Sequence, residues 1–139
     1  VARFGRNRVI AVSAKIEAEL AHMDEKDALE LMESLEIKQT GLKSIIQRAY
    51  EHLGLISFYT CGPKEAHAWP LKAGTKAPQA AGQIHSDLER GFICTEVYHC
   101  EDLFKAGSEA ALKQTGKLRT EGKEYVIANG DVIHVRFNV

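Results

Sequence analysis

The sequence contains few of the residue types that mark specialised protein classes. Its 139 residues include three cysteines, three prolines and one tryptophan, too few cysteines for a disulfide framework and too few prolines for a proline-rich linker. No two cysteines form a C-x-x-C pair, which excludes a thioredoxin-type redox motif. The cysteine content therefore predicts reduced thiols, as in the cytoplasm.

The sequence also lacks a strong charge of either sign and any long apolar run. Lys and Arg number 18 against 19 for Asp and Glu, so the basic surface of a strong nucleic-acid binder is missing and DNA is not an expected partner. No stretch approaches the roughly 20 apolar residues that cross a bilayer, and no signal peptide is evident, so a membrane is not expected either. The chain begins at Val1 and enters a strand-like run almost at once, which predicts a piece of a longer protein.

What remains is the composition of an ordinary soluble globular protein, 45% hydrophobic and 27% charged. The first part of the chain predicts one strand and three helices. The apolar run from Arg8 to Val12 is typical of a buried parallel strand, and helices are predicted over 16–22 and 24–35. Thr40 caps the clearest helix, which Gly54 ends and whose apolar face is formed by Leu42, Ile45, Ile46, Ala49, Tyr50 and Leu53.

From residue 55 the pattern changes to that of a sheet with one principal helix. Strands are predicted over 55–61 and 65–71 with a hairpin turn at Gly62-Pro63, and over 92–98. A helix starts at Pro78 and ends before Gly91, and residues 101–115 predict helical pieces broken at Gly107. A final hairpin is predicted from 123–128 and 131–137 through Asn129-Gly130, with Ile133, Val135 and Phe137 facing the core.

This element order predicts an α+β fold for the second part of the chain, with a domain boundary near Gly54. Its sequence also resembles a known family. The segment from Gly74 to Ile93, which reads GTKAPQAAGQIHSDLERGFI, the segments 62–69 and 98–104, and the closing segment 124–138 resemble, in order, the TGS domain of the YchF family of Obg-like ATPases. Residues 1–53 are similar to the end of that family's nucleotide-binding domain.

The resemblance implies two domains. Residues 54–139 would form a TGS domain with a β-grasp, ubiquitin-like fold, and residues 1–53 the terminal strand and helices of a P-loop GTPase-like α/β domain. It further implies that the full-length protein binds and hydrolyses ATP or GTP with Mg²⁺ and engages ribosomes. The chain itself has no phosphate-binding loop, since Gly116-Lys117 is followed by Leu118 in place of Ser or Thr. We therefore expect no nucleotide hydrolysis and no bound cofactor in this fragment alone.

Ser13, Ala14 and Lys15 are the candidate nucleotide-binding residues. They follow the predicted strand, and loops at the carboxyl ends of parallel strands are where such sheets bind ligands. The resemblance implies that they belong to the loop that meets the base. The alternative is that Ser13 only caps the next helix.

A second candidate site is a surface for RNA or a protein partner. His67 and Trp69 share one face of a predicted strand, and lysines flank it at positions 64, 72 and 76, so stacking and phosphate contacts could combine there. The alternative is that Trp69 belongs to the core, with Lys64, Lys72 and Lys76 keeping that edge soluble.

No catalytic or metal site is predicted. The histidines form no Ser-His-Asp or H-E-x-x-H arrangement, and Cys94, His99 and Cys100 lack the paired spacings of a zinc site. Three functions remain open for the chain. The first is a binding and regulatory TGS module that contacts the ribosome or structured RNA, and the second is a part of the nucleotide-hydrolysing unit, with Ser13 to Lys15 completing its site. The third is a ubiquitin-like domain that contacts a regulatory protein partner and has no RNA role.

Overall fold

The computed structural model describes residues 9–62 and 65–138. The chain divides into two compact units, Val1–His52 and Leu53–Val139. The helices are α1 (Ala14–Leu20), α2 (Glu25–Ser34), α3 (Gly41–Leu53), α4 (Ala77–Ile84), α5 (Ser86–Arg90), α6 (Cys100–Ala106) and α7 (Glu109–Gln114). The strands are β1 (Leu55–Cys61), β2 (Ala66–Lys72), β3 (Phe92–His99), β4 (Arg119–Glu121) and β5 (Asp131–Phe137). No helix in the described ranges is long and apolar enough to span a membrane.

The helices of the first unit begin at capping residues. The Ser13 hydroxyl accepts from the Ile16 amide at 3.5 Å, and the Asp24 carboxylate accepts from the Asp27 amide at 2.9 Å. Thr40 caps α3 by accepting from the Lys43 amide at 3.2 Å. Each cap satisfies an amide that has no partner within the first turn. The three predicted helices of this part are therefore confirmed, with shifts of one to two residues at their ends.

The predicted strand in this unit is wrong. Residues 9–13 form neither helix nor strand, and Val9 and Val12 are 37% and 42% exposed. A parallel strand exists only through hydrogen bonds to neighbouring strands, and no strand accompanies it among residues 9–52. The apolar face of α3 is likewise exposed, since Leu42, Ile45 and Ile46 are 46–61% accessible.

The second unit is an α+β layer structure around one five-stranded sheet in the order β2-β1-β5-β3-β4. β1 pairs antiparallel with β2 and parallel with β5, and β3 pairs antiparallel with β5 and β4. The predicted strands 55–61, 65–71 and 92–98 are confirmed to within one residue. The turn between β1 and β2 contains Pro63, which lies outside the described residues.

Both faces of the sheet are covered by helices. On one face Phe58, Leu71, Val97 and Ile133 pack against α4 in the larger core cluster. Their chain neighbours point the other way, and there Tyr98 and Val132 form a second cluster with Leu112 of α7. Gly107, at φ 76°, separates α6 from α7, which confirms the predicted helical pieces and their break.

The predicted final hairpin is wrong. Residues 123–128 form a loop that bonds to residues 75–77: the Ala77 amide donates to the Tyr125 carbonyl at 2.8 Å, and the Ile127 amide donates to the Thr75 carbonyl at 3.0 Å. Strand β4 lies earlier in the chain, at Arg119–Glu121, and pairs with β3. Asn129-Gly130 do form a turn, in which the Asp131 amide donates to the Ala128 carbonyl at 3.2 Å, but no strand precedes this turn and both residues also bind Ser57 of β1.

Two smaller expectations also need correction. The helix predicted from Pro78 to Gly91 is two helices, because His85 has extended backbone angles of φ −162° and ψ 140° and its ring accepts from the Asp87 amide as the cap of α5. On β5, Ile133 is buried and Val135 packs against the core, but Phe137 near the end of the strand is 48% exposed.

Gly130 is the glycine whose replacement should be most costly. Its φ is +89°, and an added Cβ would lie 2.5 Å from Nε2 of His99. Gly74 has a similar φ of +86° but nothing within 4 Å of the added Cβ. We expect Gly74→Ala to lower the free energy of unfolding by about 1 kcal/mol through backbone strain, and Gly130→Ala by about 2–4 kcal/mol because overpacking is added.

Urea denaturation of the two variants measures this difference, with Gly74→Ala as the matched control for backbone strain. Equal losses of stability in the two variants would show that the close approach of an added Cβ at position 130 to the His99 ring costs no free energy of folding.

Candidate functional site

The structure places Ser13, Ala14 and Lys15 at the start of α1, where they differ in their surroundings. Ser13 is both the cap of α1 and part of the lining of a cavity of about 420 Å³ in the first unit. Ala14 and Lys15 do not line this cavity. The Lys15 ammonium is exposed and lies 3.9 Å from the Glu19 carboxylate.

Polar groups in that cavity are already hydrogen-bonded to one another. The Glu17 carboxylate accepts from the Gly41 amide at 2.6 Å and the Leu42 amide at 3.3 Å, at the positive end of α3. The Gln39 side-chain amide donates to the Ser44 hydroxyl at 2.8 Å. Glu17 therefore fixes the first turn of α3 in addition to lining the cavity.

The second candidate surface lies on β2 and the turn that follows it. The His67 and Trp69 rings lie 4.2 Å apart between centroids, as expected for residues that share a strand face. The Trp69 indole is half-buried: it stacks on Phe58 at 6.4 Å and its Nε1 donates to the Thr60 hydroxyl at 3.1 Å. Trp69 thus packs at the margin of the core, with His67 exposed beside it.

The lysines do not converge on that aromatic pair. Lys72 is exposed, and strand alternation places its side chain on the opposite face of β2 from His67 and Trp69. Lys76 caps α4 without a side-chain bond and pairs with Glu124 on the loop over residues 122–130. Lys64 lies outside the described residues.

A polar cluster that sequence reasoning missed joins α7 to the sheet. The buried Tyr98 hydroxyl donates to Glu109 at 2.6 Å, and Nε2 of His134 lies 3.1 Å from the same carboxylate oxygen. These three residues are 11 to 36 positions apart in the sequence, so no local pattern indicates the contact. Burial raises the pKa of Tyr98, and the Glu109 carboxylate raises it further.

A second such cluster closes the loop over residues 122–130. The Tyr125 hydroxyl donates to the buried Asp131 carboxylate at 2.8 Å, and that carboxylate also accepts from the Ala128 amide at 2.8 Å. Arg119 donates to the Tyr125 oxygen at 3.1 Å. Burial and then the Asp131 carboxylate raise the pKa of Tyr125 to about 12. Both tyrosines are therefore neutral hydrogen-bond donors that hold loops and helices in place.

His99 has a structural role, and Cys94 and Cys100 are free thiols of intermediate burial. Nδ1 of His99 accepts from the Glu101 amide at 3.3 Å, and its Nε2 lies 3.1 Å from the Asn129 carbonyl. Both ring nitrogens are thus occupied by the backbone. Within residues 9–62 and 65–138 no group of three or more His, Cys, Asp or Glu side chains could hold a metal ion.

The Glu109 cluster makes stability depend on pH. The bond from the Tyr98 hydroxyl lowers the pKa of Glu109, His134 lowers it further, and burial opposes both. A carboxylate with a lowered folded pKa stabilises the fold above its ordinary pKa of 4.5 and loses that contribution as the pH falls through the lowered value. Glu109→Gln should flatten the fall in the free energy of unfolding below pH 4.5 by less than about 1 kcal/mol, because the side chain is 49% exposed.

Urea unfolding at a series of pH values checks this effect. Tyr98→Phe removes the first cause of the shift and should flatten the same part of the profile. If both variants keep the parent's pH dependence, Glu109 is not the group that sets it.

Comparison with known proteins assigns the family. The family model YchF-GTPase_C, described as "Protein of unknown function (DUF933)", matches residues 55–138. Ribosome-binding ATPase YchF of Bacillus subtilis is 50% identical over 131 residues, which is 94% of this chain and 36% of that protein. Obg-like ATPase 1 of Saccharomyces cerevisiae is 44% identical over 128 residues, covering 92% and 32%.

A solved structure shows the same relationship. The structure of the Schizosaccharomyces pombe YchF GTPase superposes with a TM-score of 0.79 at 41% identity, over 90% of this chain and 33% of that one. The chain thus spans about a third of the length of the relatives it matches. Because the family model covers more than half of the residues and the identities extend into the first unit, the chain belongs to the YchF family of Obg-like ATPases.

Proposed function

We propose that residues 54–139 are a TGS domain, the binding and regulatory module of a translation-associated nucleotide-binding protein. The full-length form binds and hydrolyses ATP or GTP with Mg²⁺ and engages ribosomes in the cytoplasm. The observation that carries the proposal is 50% identity, over 94% of the chain, to a protein named as a ribosome-binding ATPase. Residues 1–53 are then the end of the nucleotide-binding domain.

The sheet of the second unit supports the β-grasp assignment. Its first and last strands, β1 and β5, lie side by side and parallel, β2 flanks β1, and β3 and β4 flank β5. Helix α4 packs across one face as the principal helix of a ubiquitin-like fold does. A compact sheet with a rigid core is a suitable platform for a docking surface, because its exposed strands and turns are held in fixed positions.

The nucleotide-binding role of Ser13, Ala14 and Lys15 is limited to contact with the base. The Glu17 carboxylate in the adjoining cavity is bonded to the amides of Gly41 and Leu42, and the sequence has no phosphate-binding loop. The described residues of the cavity therefore do not fit Mg²⁺ or a phosphate group, and we assign no step of hydrolysis to them.

The ribosome-binding role is tested by co-sedimentation of the 139-residue chain with purified ribosomes across a salt series, with and without nucleotide. We propose that RNA is bound around strand β2 and its turns, with Lys64, Lys72 and Lys76 as separate phosphate contacts and with His67 and Trp69 as stacking residues on the face opposite Lys72. Charge reversal of the three lysines to Glu should weaken binding and reduce the slope of log affinity against log salt by about 2, since each phosphate contact contributes about 0.7–0.9.

The matched control reverses Lys105, Lys113 and Lys123, three exposed lysines elsewhere on the second unit, and so changes the net charge equally. It should leave binding nearly unchanged. An equal loss of ribosome affinity in both triple variants would mean that binding depends on net charge alone. Unchanged affinity of the first triple variant would exclude Lys64, Lys72 and Lys76 as RNA contacts.

The base-contact role is tested in the complete protein by isothermal titration with ATP. Ser13→Ala and Lys15→Ala should each weaken ATP binding about three- to tenfold, the range expected for one lost hydrogen bond. Ser13→Asp keeps a good helix cap, so it separates the two roles of Ser13: it should weaken ATP binding as well if Ser13 meets the nucleotide, and should not if Ser13 only caps α1. Lys26→Ala, on α2, is the control and should bind ATP as the parent does. If all variants keep the parent's ATP affinity, Ser13 and Lys15 do not contact the nucleotide.

A ubiquitin-like protein-interaction domain with no RNA role is the second candidate. It is favoured by the net charge of −1 and by the separation of Lys72 from the aromatic pair across β2. If the chain fails to bind ribosomes at every salt concentration, with or without nucleotide, the protein-interaction domain is favoured over the RNA-binding module.

A further inference from the structure

Strand β2 forms one edge of the sheet, and the direction of its backbone groups can be derived from its neighbour. Ser57 of β1 lies opposite Pro70. The Ser57 amide donates to the Asn129 side chain at 3.0 Å, and its carbonyl accepts from the Gly130 amide at 2.9 Å. Both Ser57 groups therefore point away from β2, and Ser57 and Pro70 are a pair that exchanges no hydrogen bonds.

Hydrogen-bonded and non-bonded pairs alternate along an antiparallel ladder. The pairs of Tyr59 with Ala68 and Cys61 with Ala66 are therefore also non-bonded. It follows that Ala66 and Ala68 direct their N–H and C=O groups outward, away from the sheet. Pro70 presents only its carbonyl there, since proline has no N–H.

The open part of this edge has defined ends. The Lys72 carbonyl accepts from the Thr75 amide at 3.2 Å and from the Thr75 hydroxyl at 2.7 Å, so that end is occupied. Toward the start of the strand, Glu65 faces β1, since its carbonyl accepts from the Gly62 amide at 2.9 Å, so Ala66 is the first outward residue of the strand. The segment from Ala66 to Pro70 thus holds the outward groups with which another strand can pair.

Edge strands of this kind are usually protected by charges or bulky groups. Here the outward positions carry Ala66, Ala68 and Pro70, which share one face and are exposed. Pro70 ends a possible pairing but does not prevent it over the two alanines. The edge is therefore accessible and sterically open.

An apolar groove adjoins the edge on the face of the two alanines. It has a volume of about 280 Å³ and is lined by residues that include Tyr59, Cys61, Ala66, Leu103 and Phe104. Phe104, which forms one wall of the groove, is 81% exposed. Residues directly opposite one another in neighbouring strands project on the same face, so a side chain paired with Ala66 would enter this groove.

Charge indicates what lies beyond the pairing segment. Lys72 is exposed at the Pro70 end and has no ion-pair partner among the residues that the structure describes. An acidic side chain of a bound strand would complement it. The other face of the edge offers the rings of His67 and Trp69.

We propose that the edge from Ala66 to Pro70 binds an extended segment of a partner protein by strand addition. The segment places a large apolar side chain in the groove beside Phe104 and an acidic side chain near Lys72. Backbone bonds supply affinity and the groove supplies specificity. The inference rests on the proposed function only in treating the second unit as a binding module.

The test starts from a phage-displayed library of random linear peptides selected on the 139-residue chain. Enriched peptides should alternate apolar residues and carry an acidic flank. The best peptide, made synthetically, should shift the Ala66 and Ala68 amide signals in NMR spectra and slow their hydrogen exchange. Ala68→Pro removes an outward N–H without touching the ladder to β1 and should weaken binding at least about tenfold, whereas Ala68→Ser keeps the N–H and should bind as the parent does.

Phe104→Ala gives a second variant that does not alter a strand, since the side chain is 81% exposed. It should weaken the same peptide about tenfold by removing one side of the groove. The proposal is overturned if no peptide is enriched, if the peptide shifts signals elsewhere, or if the proline variant folds and binds as well as the parent. It is also overturned if the edge pairs with a second copy of the chain, seen as dimerisation that Ala68→Pro abolishes.

The two proposals fail separately. Ala68→Pro changes no charge and should leave ribosome binding intact, while reversal of Lys64 and Lys76 alone, which keeps Lys72 for the peptide, should weaken ribosome binding and leave peptide binding intact. If the parent chain binds the peptide but not ribosomes, only the proposed ribosome-docking role is contradicted. If it binds ribosomes but no peptide, only the proposed strand addition at the edge of β2 is contradicted.

Discussion

The second unit depends on β5, the last strand in the chain, being placed in the middle of the sheet. β5 pairs parallel with β1 through Tyr59 and Val132 and antiparallel with β3 over most of its length. The residues just before it secure the junction: Asn129 and Gly130 bond to both backbone groups of Ser57, and the Cys100 amide donates to the Gly130 carbonyl at 2.9 Å. Gly130 therefore connects β1, β3 and β5, and its positive φ and close contact with His99 follow from that position.

This junction also determines what the rest of the sheet exposes. Because Ser57 bonds toward β5, alternate residues of β1 bond toward β2, and the outward groups of β2 are fixed as those of Ala66, Ala68 and Pro70. The same strand order separates the two core clusters, with α4 on one face and α7 on the other. The buried Tyr98 hydroxyl then meets Glu109, so α7 is held by a polar bond as well as by Leu112.

Local sequence patterns predicted most elements but not their pairing. The β-branched and apolar runs of β1, β2 and β3 and the caps at Asp24 and Thr40 act within a few residues, so they can be recognised without the fold. The Asn129-Gly130 pair predicts a turn, and that turn forms, with the Asp131 amide bonded to the Ala128 carbonyl. What the pair does not indicate is its bonding to Ser57, 72 positions before Asn129, because a long-range contact of this kind leaves no periodic signal. The prediction of a strand from Arg8 to Val12 is wrong over the described residues 9–12 for a related reason, since a parallel strand forms only by hydrogen bonding to neighbouring strands.

The candidate sites show the same limit. Residue spacing correctly put His67 and Trp69 side by side, because strand alternation is local. It could not show that Lys76 pairs with Glu124, 48 positions later, or that Lys72 lies on the other face from the two rings. An exposed ion pair such as that of Lys76 and Glu124 contributes at most about 1 kcal/mol, so a phosphate group can compete for the lysine at little cost. The backbone edge of β2 is a different kind of surface, because its donors and acceptors do not depend on salt or on side-chain identity. The two proposals thus assign a charge-dependent surface and a charge-independent one to the same region, and a partner that used both would reach from the turn after Lys72 along the edge to Ala66.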